Sequence, residues 1–258
     1  MQDQDPPLQR PPLHRPPAGR PPAGRPTANR QSWLVTGASA GIGLAICRAL
    51  HDAGHEVTGF GRRQAQDLPA DFPDIAYHPV DLATAQGCQL LAARAPARLD
   101  MALLNAGIGH YRPLCRETPQ AISDVLAVNL LMPMLTAQLL FAALQARRGV
   151  LGLVGSVAYR GAAGMPVYAA SKAGLDGFGR SLRSEWQGRV DVRVIHPGPT
   201  ATGMAGRAGL TSPLALRMML PVASVAAGII DAMQGQGRMR RRVSFGAVIR
   251  QKITGRAA

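Results

Sequence analysis

Lysine is almost missing from this chain. Of its 29 basic residues only Lys172 and Lys252 are lysines, and the rest are arginine. Cysteine is nearly as scarce. Cys47, Cys88 and Cys115 are odd in number, widely spread and without zinc-ligand spacing, so neither a disulfide scaffold nor a metal site is expected. Aromatic residues make up only 4% against 29 glycines, which favours tight βα turns over an all-β sandwich. Long apolar runs are lacking too. The longest, Leu130 to Leu144, is interrupted by Pro133, Thr136 and Gln138 and falls short of the roughly 20 residues of a span, so no membrane crossing is expected. Acidic residues number only 15, leaving a formal charge of +14. That balance invites a nucleic-acid partner, but no aromatic residues interleave the arginines and no reading motif is present. A specific nucleic-acid partner is therefore not expected, and polyanion binding through Arg10–Arg30 and Arg238–Arg242 stays a minor alternative supported by charge alone.

With 258 residues, 47% of them hydrophobic, the chain can bury the core of one α/β domain. Residues 1–31 stand apart. They repeat the pentad R-P-P-x-x, hold nine of the 21 prolines and carry arginine at 10, 15, 20, 25 and 30. Proline at that density blocks helix and sheet hydrogen bonds, so a disordered, polyproline-like tail is expected ahead of a domain over 32–258. No apolar stretch of a secretory signal follows the tail, which points to the cytoplasm.

From Ser32 onward short β-rich runs alternate with longer helical ones. Strands are expected at Trp33–Thr36, Glu56–Phe60, Ile75–Val80, Asp100–Leu104, Val150–Gly155, Val190–Ile195 and Arg242–Phe245. Helices are expected near 41–53, 84–94, 118–147, 166–187 and 222–234. Such alternation predicts a Rossmann-type, doubly wound, mostly parallel sheet covered by helices on both faces.

Between the first strand and first helix lies Thr36-Gly37-Ala38-Ser39-Ala40-Gly41-Ile42-Gly43. Glycines let a backbone turn sharply and approach a pyrophosphate, whose charge the free N–H groups and the helix dipole attract. The turn matches throughout the T-G-x-x-x-G-[IL]-G of the short-chain dehydrogenase/reductase family, which this sequence resembles. The resemblance implies cofactor contacts at Gly37, Ser39, Gly41, Ile42 and Gly43. At the end of the second strand an NAD site usually places a carboxylate on the adenosine ribose. Here stand Arg62 and Arg63, with no acid until Asp67. A guanidinium fork suits a 2′-phosphate, so NADP(H) is the expected cofactor.

Gly155-Ser156 follows the fifth strand, and Tyr168-Ala-Ala-Ser-Lys172 comes next. Four residues apart on a helix, Tyr168 and Lys172 share a face. A nearby cation favours tyrosinate, and such a group can exchange a proton with a carbonyl or alcohol oxygen. Ser156, at a strand end, can bond the same oxygen. The family carries these elements as Ser…Tyr-x-x-x-Lys with an asparagine in a central helix, matched by Asn129. The resemblance implies that Tyr168 is the proton donor or acceptor, that Ser156 orients the substrate, and that Lys172 bonds the nicotinamide ribose. It further implies that Asn129 supports a proton relay.

Further pieces occur in family order. Asp81-Leu82 resembles the adenine-contacting pair, and Asn105-Ala106-Gly107 resembles the turn after the fourth strand. Pro197-Gly198-Pro-Thr200-Ala-Thr202 resembles the segment on the nicotinamide amide. Together they imply an oxidoreductase interconverting a small carbonyl and a secondary alcohol, and a homodimer or homotetramer. A catalytically weak sensor or scaffold of the same fold is the alternative. Ser156 and Tyr168 stand twelve apart, one fewer than is common in the family, and the usual C-terminal T-G-x-x-x-x-x-D-G-G segment has no counterpart. A substrate lid is expected around 200–220, with Met204, Met218 and Met219 as lid or core.

Overall fold

The computed structural model describes residues 30–203, 219–235 and 242–243. The proline–arginine tail through 29, most of the expected lid (204–218) and the basic cluster at 238–241 lie outside the described residues. Seven strands form one sheet: β1 (Ser32–Thr36), β2 (Glu56–Gly61), β3 (Ala76–Pro79), β4 (Met101–Leu104), β5 (Val150–Val154), β6 (Asp191–Pro197) and β7 (Arg242–Val243). Their order is β3-β2-β1-β4-β5-β6-β7, and every pairing is parallel. This is the expected doubly wound architecture. Among the described residues six helices accompany it: α1 (Gly41–Asp52), α2 (Ala85–Ala93), α3 (Pro119–Leu126), α4 (Met132–Ala146), α5 (Pro166–Glu185) and α6 (Val222–Gln234).

All five β1 residues are buried, which explains why its centre, Trp33-Leu34-Val35, is continuously rather than alternately apolar. Trp33 and Val35 pack with Ile46, Leu50 and Ile229 under α1 and α6. Leu34 faces the other way, into a cluster with Leu104, Leu140, Leu144 and Leu151 under α2, α4 and α5. Each such side chain stabilises the fold by about 1.5–3 kcal/mol. Connections leave β1 and β4 towards opposite faces, and this opens a crevice at the carboxyl ends of the strands.

Two departures from the sequence expectation concern the site. β6 continues past Ile195 through His196 and Pro197, because β7 pairs with those two residues. The single helix expected over 118–147 is interrupted by a π-helical turn at Ala127–Leu131. Pro133 has no N–H to return to the Asn129 carbonyl four residues back, so a regular α-turn cannot close there. By length and hydropathy, the continuous helical stretch Pro119–Ala146 is the one candidate for crossing a membrane among the described residues. It is also a core helix: Met132, Leu140 and Leu144 are buried against the sheet.

Candidate active site

Thr36 closes β1 and ties it to β4. Its hydroxyl accepts from the N–H groups of Asn105 (2.9 Å) and Ala106 (3.0 Å), and its carbonyl accepts from the Asn105 side chain at 3.0 Å. The chain then turns through Gly37 at φ 70°, a conformation that favours glycine. A Cβ on Gly43 would run into the Gly37 carbonyl, so the turn and the first turn of α1 lie against each other without side chains between them. Gly41 faces Thr202 across the crevice; a Cβ there would sit 3.3 Å from its methyl carbon. The Ala38 N–H of the turn is held by the Phe60 carbonyl at 3.1 Å, whereas the start of α1, with no side-chain cap, offers its N–H groups to an anion.

Arg63 reaches back to this turn, donating to the Ser39 carbonyl at 3.4 Å, while the Tyr77 hydroxyl holds the Arg63 carbonyl at 3.0 Å. Arg62 is exposed beside it. Ile42 packs against the α1–α6 side of the core. Asp81 is exposed and accepts the Ala83 N–H at 3.0 Å, whereas Leu82 is buried in the core, so only its backbone can face a ligand. Gly198 and Thr200 form a tight turn after Pro197, the Thr200 hydroxyl donating to the Gly198 carbonyl at 2.9 Å.

Ser156 follows β5 and caps a short 3-10 turn (Val157–Arg160), its hydroxyl accepting from the Ala158 N–H at 3.2 Å. Tyr168 and Lys172 lie on one face of α5. Lys172 is 4% exposed, and its ammonium donates to the Val154 carbonyl at 2.8 Å. That nitrogen sits 5.8 Å from the Tyr168 ring centre. Asn129, fully buried in the π-turn, binds Ile108 twice: it accepts the backbone N–H at 2.9 Å and donates to the carbonyl at 2.8 Å. Its amide also donates to Ser171 on α5 at 3.1 Å. Asn129 thus clamps the segment after β4 to the helix that carries Tyr168 and Lys172.

Burial governs the ionisation of both groups. It lowers Lys172 to about 8. It also pushes the Tyr168 hydroxyl above its ordinary 10, against a hydrogen bond with Ser156 that pulls it down. Sequence reasoning anticipated a tyrosine drawn down by its lysine. Among the protein's own groups desolvation prevails instead.

A model of the short chain dehydrogenase family matches residues 31–212. The chain belongs to the short-chain dehydrogenases. Uncharacterized oxidoreductase YciK of Escherichia coli K12 is 35% identical over 195 residues, covering 68% of this chain and 75% of that protein. L-xylulose reductase of Bos taurus is 32% identical, covering 72% and 78%. A solved structure, a putative short chain dehydrogenase from Escherichia coli CFT073 complexed with NADPH, superposes with a TM-score of 0.71 at 31% identity, covering 80% of this chain and 91% of that one.

In this short-chain dehydrogenase the tightened Ser156–Tyr168 connection is made with Gly161 and Gly164, both at positive φ. Sequence reasoning passed over two buried residues behind the site, Asp176 and His196. The first had a legible signal, since Tyr168, Lys172 and Asp176 recur every four residues along α5. The second shows only once β6 is traced through Pro197.

Proposed function

We propose that this short-chain dehydrogenase is an NADP(H)-dependent oxidoreductase of the cytoplasm that interconverts a carbonyl and a secondary alcohol on a small molecule. The observation that carries the reading is the convergence of Tyr168, Lys172 and Ser156 at the carboxyl end of β5, with the lysine buried and anchored to Val154. The glycine turn leaves the bare backbone a pyrophosphate needs. The missing carboxylate after β2 and Arg63 at the turn favour a 2′-phosphate, with Arg62 beside it. The names of the relatives support this reading: one is an L-xylulose reductase and another was solved in complex with NADPH.

When bound, NADP(H) supplies or takes up the hydride. Gly37, Ser39, Gly41, Ile42 and Gly43 would hold its phosphates, and Asp81 with the Leu82 backbone its adenine. Asn105, Ala106 and Gly107, with Pro197, Gly198, Thr200 and Thr202, would line the nicotinamide side. Tyr168 gives a proton to the carbonyl oxygen, or takes one from the alcohol. Ser156 bonds that same oxygen, Lys172 holds the ribose and charges the environment of the phenol, and Asn129 keeps Ile108 and α5 in place.

The protomer is further proposed to assemble as a homodimer or homotetramer. Leu126, Leu131 and Leu139 stand exposed on α3, the π-turn and α4. An adjacent open groove between α4 and α5 is lined by Met134, Phe141, Phe178 and Trp186. Apolar surface of this extent points to a partner.

A panel of aldehydes, ketones, sugars and secondary alcohols, followed at the NADPH absorbance band, tests the activity. Turnover with NADPH exceeding that with NADH is expected. Tight NADPH binding with no turnover anywhere in the panel would favour the sensor reading instead.

A further inference from the structure

His196 lies 1% exposed at the carboxyl end of β6, directly beneath Ser156. Its Nδ1 is 3.1 Å from the Ser156 carbonyl oxygen, and its Nε2 is 3.1 Å from Oδ1 of Asp176. Asp176 is itself 3% exposed, one helical turn beyond Lys172 on α5, and its second oxygen meets Arg180 at 3.2 Å. The Tyr159 ring stacks on the imidazole at 4.2 Å, with the Arg160 guanidinium bonded to the Tyr159 hydroxyl at 3.0 Å. A Cβ on Gly155 would sit 2.5 Å from His196 Nδ1, so glycine at that position is what admits the ring under the serine.

A carbonyl and a carboxylate both accept. Filling both bonds therefore takes a proton on each ring nitrogen: an imidazolium whose counter-charge is the Asp176 carboxylate. Such a buried pair contributes little to stability compared with apolar residues of similar volume, and removing one partner strands the other. The β5–β6 backbone ladder needs neither residue. What the pair does reach is the backbone of Ser156 and, one residue on, Pro197-Gly198.

We propose that His196 and Asp176 are a positioning pair: the chain Arg180–Asp176–His196 holds the Ser156 carbonyl and so sets where the Ser156 hydroxyl meets Tyr168. The pair touches neither substrate nor cofactor. This inference rests on the reading of Ser156 and Tyr168 as catalytic.

Two isosteric substitutions separate its halves. The amide nitrogen of His196→Asn falls near Nδ1 and keeps the donor to Ser156. That of His196→Gln falls near Nε2 and keeps only the Asp176 contact. Tyrosinate absorbance titration, with Tyr168→Phe subtracted to isolate one of the four tyrosines, reads the Ser156–Tyr168 contact without any substrate. His196→Gln is expected to move the Tyr168 titration upward and to lower kcat about tenfold to a hundredfold, with the Kd for NADPH unchanged. His196→Asn, which keeps the donor to Ser156 but gives up Asp176, should fall between wild type and His196→Gln in both. Equal losses in the two variants, or none in either, overturn the proposal. A Tyr168→Phe variant with full turnover would instead defeat the parent reading, while the titration still judges the pair. Nitrogen chemical shifts of histidine-labelled wild-type protein give a check that needs no variant. His196 must carry two protons near neutral pH, and a neutral ring rejects the pair as drawn.

Discussion

Asp100 and Asp176 both bind arginine, yet they sit at opposite ends of the sheet and in opposite surroundings. Asp100, before β4, accepts the Ser32 N–H at 2.9 Å and meets Arg98 and Arg147 at 3.1 and 3.3 Å, with those guanidinia 58% and 45% exposed. Burial tends to raise its carboxyl, but these donors outweigh it and hold Asp100 below the usual carboxylate range. Asp176 has its side chain 4% exposed and lies 3.1 Å from the imidazole of the buried His196. Water screens the first cluster, so its ion pairs contribute little and can be rearranged freely. In the second, water reaches Arg180 but not the Asp176–His196 contact, and it does not reach Lys172 or Asn129. Each polar group there must be met by a particular partner, and this holds the candidate site in one arrangement. The amino edge closes the fold, whereas the carboxyl edge carries the proposed chemistry.

The sharpest way to break this contrast is Tyr168→Phe. One hydroxyl leaves the carboxyl edge and packing hardly changes, so NADPH binding and melting should hold while turnover falls about 10²–10⁴-fold. Full activity on a proven substrate would reduce the carboxyl edge to scaffold.

Arg63→Ala follows in size. Loss of a phosphate contact should weaken NADPH about tenfold to a hundredfold and leave NADH nearly untouched. Arg62→Ala, which lacks the tie to Ser39, should cost less. Titration of both cofactors against both variants decides, and equal wild-type affinities for NADPH and NADH would remove the 2′-phosphate assignment.

Lys172→Met should trade function for stability. Below pH 8 the native protein bears a buried ammonium, and each unit between about 8 and 10.5 is worth about 1.4 kcal/mol. That is about 3 kcal/mol, less about 1 for the lost bond to Val154, giving a net gain of about 2 kcal/mol at pH 7. The sign follows from linkage: between about 8 and 10.5 the unfolded chain binds the proton that the native lysine has lost, so wild-type stability rises with pH. The advantage of the variant should accordingly shrink across that window in denaturant melts. A constant advantage would mean that the ammonium is not desolvated.

Asp100→Asn is expected to be the mildest, destabilising by about 1 kcal/mol at pH 7 because water already screens its partners. A depressed carboxylate contributes stability above its unfolded value that disappears in acid, so wild type and variant should converge as the pH falls. Denaturant midpoints at neutral and acidic pH measure the difference, and a loss as large as that of a buried pair would erase the distinction between the two edges.

Much of the site could be read from residue order because its parts are local. A glycine turn with its own backbone requirement, a tyrosine and lysine one helical turn apart, and strands buried on both faces all declare themselves within a few positions. The π-turn was partly legible as well, since Pro133 stands four residues after Asn129, but its use was not: only the packed chain brings Ile108 to that amide. The departures at Tyr168 and His196 share another cause. Whether a phenol titrates low or high, and whether a histidine is solvent-facing or clasped, depends on how much water the rest of the molecule excludes.

Fold class, the glycine turn and the side chains proposed to react were thus written into short stretches of the chain, where backbone sterics and helical periodicity act over a few residues. The direction in which Tyr168 and Lys172 are shifted, the clamp of Asn129 on Ile108 and the Asp176–His196 pair under Ser156 arose only when β4, β5, β6 and α5 closed on one another. Desolvation and long-range hydrogen bonding are sums over distant segments, and no local pattern carries them.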